Sequence, residues 1–83
     1  MMSFELDIRQ FTHLGRDIEA VLDKQGAGAT VKSVRTEVVK RVPKASVLVT
    51  ALGAETGLDA MRKLDELIAM RMARRLSRRE DQR

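Results

Sequence analysis

Eighty-three residues make one domain, 1–83, at the small end of what folds alone. The absence of Cys excludes disulfides and thiolate metal sites, and no apolar run approaches the roughly 20 residues of a membrane span. The formal charge of +4 is unevenly placed: residues 1–70 carry ten Lys or Arg and ten Asp or Glu, so residues 71–83, with six Arg against Glu80 and Asp81, hold all of it.

The chain opens on "MMSFELDIRQ", which lacks the basic n-region and apolar h-region of a signal peptide, so a cytoplasmic or assembly setting is expected. Phe4, Leu6 and Ile8 alternate with Glu5, Asp7 and Arg9, and this period of two predicts a half-buried strand. Thr12 is placed to cap a helix that carries Leu14, Ile18, Val21 and Leu22 at helical spacing. "GAG" at 26–28 stops it, because Gly supplies the left-handed conformations that end helices.

Val31, Val34, Val38 and Val42 then follow a helical course, although Val and Thr favour strands by propensity. Periodicity outranks propensity here and predicts a helix over about 29–42, ended by Pro43. "KASVLVTALG" is a short apolar run between Pro43 and Gly53 that fits a buried strand or one short helix. A strand over 45–52 is the expectation, since it gives the N-terminal strand a partner.

The last element is a long helix opened by Thr56 with Asp59 three residues on, a capping box with Asp in the usual Glu or Gln place. After Gly57 the sequence runs without Gly or Pro. Leu58, Met61, Leu64, Ile68, Met72 and Leu76 form one stripe, and Arg75 and Arg79 fall within it. A buried face overwritten by arginine predicts a helix end that has left its own core, with 77–83 frayed or projecting. The expected fold is thus α+β, mainly α: strand, two helices, a short strand and a long basic C-terminal helix.

Candidate sites follow from the same residues. Arg71, Arg74, Arg75, Arg78 and Arg79 cover an arc of roughly 140° on an ideal helix. Guanidinium forks match carboxylates and phosphates, so this face suits an acidic protein surface or nucleic acid. It also suits a solvated terminus, since cations favour a helix C-terminal end. Glu80 and Asp81 blunt the patch, and no nearby aromatic ring offers a base a stacking surface. With Phe4 and Phe11 as its whole aromatic content, the core gains from being shared. Self-association is therefore expected, through Met61, Leu64, Ile68, Met72 and Leu76.

No catalytic, metal or cofactor constellation is assembled. "QGAGATVKS" lacks the Gly before Lys32-Ser33 that a phosphate loop requires, and a helix rather than a strand precedes it. His13, the one His, has no second His or Cys to share a metal with. Asp65 and Glu66 are sequence neighbours, which diverge on a helix. "MRKLDELIAMR", with Arg62, Asp65 and Arg71, resembles a piece of the first helix of the all-helical chorismate mutases. That family requires a longer helix and further cations from other helices, so no activity is assigned from it.

Residues 4–44, from "FELDIRQFTHLGRDIEAV" through the glycine break to "TVKSVRTEVVKRVPK", resemble the opening of tail-completion (minor tail) proteins of long-tailed phages. Those proteins begin with a short strand, a helix, a small-residue break and a second helix ending near Pro. The shared features are Phe4 to Ile8, Leu14 to Leu22, Gly26 to Gly28, and Val31 to Pro43. Family members go on into several strands, where this chain has one candidate. The resemblance implies a non-catalytic, ring-forming virion part. The expected function is accordingly a non-enzymatic, self-associating assembly module, cytoplasmic or in a virion, with an acidic partner at the arginine end, nucleic acid as the alternative, and no cofactor.

Overall fold

The computed structural model describes residues 6–81, and of 79–81 the backbone alone. Four helices form the described chain: α1 (Ile8–Gln25), α2 (Val31–Arg41), α3 (Ala45–Leu52) and α4 (Gly57–Asp81), with a 3-10 turn at Gly26–Gly28 between the first two. Among the described residues there is no strand, so the molecule is all-helical and the expected α+β class is wrong.

Both misread segments have local causes. Asp7, not Thr12, caps α1: its carboxylate Oδ1 accepts from the backbone N–H of Arg9 (3.1 Å) and Gln10 (3.2 Å). Helix therefore begins at Ile8, while Thr12 sits inside it and donates its hydroxyl back to the Ile8 carbonyl at 2.8 Å. Leu6 and Ile8, the inward positions of the expected strand, are 44% and 73% exposed. Phe4 lies outside the described residues. The second expected strand, 45–52, is α3. Leu48, Ala51 and Leu52 are its buried face, an i, i+3, i+4 set that a strand would split between two faces. Gly53 ends it in the left-handed conformation (φ 62°, ψ 33°).

The other expectations match. Gly26 (φ 63°) closes α1, and α2 opens with a reciprocal box, Thr30 Oγ1 accepting from Ser33 N–H (3.1 Å) and Ser33 Oγ from Thr30 N–H (2.9 Å). Val34 and Val38 are fully buried, as the periodicity required. At the head of α4, Thr56 Oγ1 accepts from Asp59 N–H (3.1 Å). The Asp59 carboxylate reaches back to Glu55 N–H (3.3 Å) rather than to the cap residue itself.

One aliphatic core holds these helices. Ile18, Val21, Val34, Val38, Leu64 and Ile68 are its largest fully buried side chains, and Phe11 packs against its edge. The elements are also tied by backbone: Asp7 N–H at the start of α1 donates to the Thr50 carbonyl of α3 (3.2 Å), and Lys63 Nζ of α4 donates to the Gly53 carbonyl (3.1 Å). In α4 the core residues are Ala60, Leu64 and Ile68, one per turn. Its 25 residues span about 37 Å, most of the longest dimension of a 50 × 23 × 20 Å molecule.

Candidate interaction surface on the last helix

Past Ile68 the face of α4 that looks at α1 changes from aliphatic to arginine, and the arginines stay in contact. Arg71 lies over Gly15, close enough that a Cβ added there would stand 2.6 Å from its Nη2. Arg71 Nη1 donates to Glu19 Oε2 at 3.0 Å. One turn on, Arg75 donates to Glu19 Oε1 through Nε (3.0 Å) and Nη2 (2.7 Å), and to the Glu19 carbonyl through Nη2 (3.2 Å). Its Nη1 pairs with Asp23 Oδ1 at 2.8 Å. The order Gly15, Glu19, Asp23 against Arg71, Arg75 means that α1 and α4 run parallel here. Two acids four residues apart on one helix meet two arginines four residues apart on the other.

This latch is half-buried: the side chains of Arg71, Arg75 and Glu19 are 23%, 33% and 35% exposed. Burial by itself raises the Glu19 pKa. The hydrogen bonds and charges of Arg75 and Arg71 together outweigh it, leaving Glu19 below the usual carboxylate range. The Glu19 hydrogen bond is the main reason Arg75 holds its proton more tightly than a free guanidinium. Arg71 Nε is buried without an acceptor among the described residues.

The five candidate arginines therefore divide. Arg71 and Arg75 are engaged by α1 and hold α4 down as far as Arg75. Arg74 and Arg78 are exposed, and Arg79 continues the helix with its side chain outside the described structure. Helix extends to Asp81.

The expected oligomer stripe divides as well. Leu64 and Ile68 are 0% exposed in the core of the single chain and offer a second copy no surface. Met61 is half-buried. Met72 and Leu76 face a groove of about 250 Å³ floored by Leu22, Ala27 and Ala29, and Leu76 is 61% exposed on its rim. Met70, on another side of α4, is 56% exposed. Exposed on the last described turns are thus Arg74 and Arg78 together with apolar Met70 and Leu76.

Sequence reasoning missed Glu19 and Asp23, and the Arg35–Asp65 pair (2.8 Å) that ties α2 to α4. A signal existed for the first: Glu19/Asp23 and Arg71/Arg75 are complementary i, i+4 pairs. The second leaves Asp65 Oδ1 buried without a donor among the described residues. Arg62, Asp65 and Arg71 do not converge: Arg62 pairs with Asp59 and Glu66 (both 2.7 Å), Asp65 with Arg35, and Arg71 with Glu19. Among the described residues no group of three His, Asp or Glu gathers as a metal site. No helix there is long and apolar enough to cross a membrane. Comparisons with protein-family models, curated proteins and solved structures return no match to this chain.

Proposed function

We propose that the protein is a non-enzymatic assembly module, one subunit of an oligomer or larger complex, that docks an acidic protein surface with the end of α4. The observation that carries the reading is the division of the arginines. Arg71 and Arg75 clamp the helix to α1 through Glu19 and Asp23, while Arg74 and Arg78 are exposed on one side of α4, where Met70, one turn before Arg74, is exposed as well. A clamped helix has little backbone ordering entropy left to lose, which favours docking. Met70 supplies an apolar anchor and the guanidinium forks supply charge recognition.

A tail or neck part of a long-tailed phage is one setting for such a module. The helix, glycine break and helix of residues 8–41 support it; the helical residues 45–52, where that family turns to strands, do not.

The test is light scattering on the eluting protein, with refractive index as the detector because the chain has no Trp or Tyr. A fixed multiple of the chain mass is expected, and Arg74→Glu with Arg78→Glu should lower it. An unchanged mass in that variant, or a monomer at high concentration, overturns the reading. The second reading, nucleic-acid binding, is favoured by the confinement of the net charge to residues 71–83. With Arg71 and Arg75 already paired, at most four arginines of residues 71–83 are left for phosphates, so log K should fall against log salt with a slope no steeper than about −4. Nucleic acid that co-elutes with the protein and survives into high salt contradicts both readings.

A further inference from the structure

Away from the α4 end, a second concave site lies where α1, α3 and the exit of α2 meet. It is a cleft of about 280 Å³, at the small end of ligand-binding cavities. Its floor is aliphatic: Leu14, Leu48 and Ala51 are at most 5% exposed, and Val42 and Val47 complete the wall. The polar groups at its edge are Gln10, His13 and Asp17 from α1 and Arg41 from the end of α2.

Two features give these groups a common logic. The Gln10 amide oxygen is buried and has no donor among the described residues, a condition that costs roughly 1–3 kcal/mol unless something donates to it. Asp17 and Arg41 line the same cleft with opposite charge yet are not paired with each other. A neutral aliphatic guest would leave the amide oxygen unsatisfied, and a purely anionic or cationic one would face one charge of its own sign. A small zwitterion with an aliphatic tail answers all three.

We infer that this cleft binds a free α-amino acid with an aliphatic side chain. The tail lies on Val47, Leu48 and Ala51. The ammonium donates to Gln10 Oε1 and the Asp17 carboxylate, and the carboxylate accepts from the Arg41 fork. The inference does not depend on the docking role of α4.

The sequence provides its own reporter. His13 is the one histidine, so its imidazole C–H resonances stand alone in a proton NMR spectrum of the full chain. The probes are L-leucine, 4-methylpentanoate (no ammonium) and 3-methylbutylamine (no carboxylate). Leucine should move the His13 and Ala51 signals saturably, and each analogue should bind at least about tenfold more weakly, near 1.4 kcal/mol. Arg41→Gln, at an exposed position, should weaken leucine by a similar factor and leave the amine unaffected.

No saturable shift up to about 10 mM leucine, beyond the millimolar range of even weak ligands, overturns the inference. So do analogues that bind as well as leucine, or an Arg41→Gln variant that binds it unchanged. His13 shifts that follow protein concentration without ligand would mean that a second copy fills the cleft, and would overturn it too.

Discussion

Glu19 is the residue on which the end of α4 depends, since one carboxylate accepts from both arginines of the latch. Charge-assisted bonds at a half-buried site, discounted for screening by nearby solvent, suggest that Glu19→Gln loses about 1–2 kcal/mol in urea unfolding at pH 7. Its folded pKa lies below the unfolded value, near 4.3 for a free glutamate. The latch is therefore at full strength above that value and weakens as pH falls through the folded one. Wild type and Glu19→Gln should accordingly converge in stability in acid, and a gap that persists at pH 2–3 would place the effect elsewhere. Gly15 has a linked reason to be where it is. A glycine inside a helix is about 1 kcal/mol less favourable than alanine, yet a Cβ at this position would strike the Arg71 guanidinium. Gly15→Ala should thus fail to stabilise the wild type and should stabilise an Arg71→Ala background. A double-mutant cycle reads the coupling directly, and additive effects would refute the contact.

At the scale of elements, α4 is two half-helices with different duties. Leu64→Ala in the first half should lose about 2–5 kcal/mol, because it opens a cavity in an aliphatic core against which Phe11 packs only at the edge. Met70→Ala in the second should change stability by less than about 0.5 kcal/mol while lowering the assembled mass. The reverse pattern would return self-association to the stripe that the sequence suggested. How much of this was legible depends on how long each signal runs. α2 and α4 carry helical periodicity over several turns, and the glycine break and Thr56 cap mark their neighbours, so these were readable. The period of two at the start covers only three apolar residues, and one capping carboxylate, Asp7, was enough to override it. α3 is eight residues, three of them β-branched (Val47, Val49 and Thr50), where propensity and periodicity disagree; tertiary burial of Leu48, Ala51 and Leu52 decides for helix. Of the arginine face, position on the helix was readable and partnership was not, because the acids that hold Arg71 and Arg75 lie 52 and 56 residues upstream.

Across the whole molecule, the first and last helices lie side by side in parallel, and the core between them is closed by Leu64 and Ile68 of α4. That arrangement has a consequence in time. During synthesis, α1, α2 and α3 emerge with the buried faces of Ile18, Val34, Val38 and Leu48 ready, yet without the helix that covers them. The core therefore cannot close until α4 is present, and the guanidiniums that clasp Glu19 and Asp23 lie further along the chain than the residues that close it. In the interval an aliphatic surface is open to whatever stands nearest, which on a polysome is another copy of the same chain.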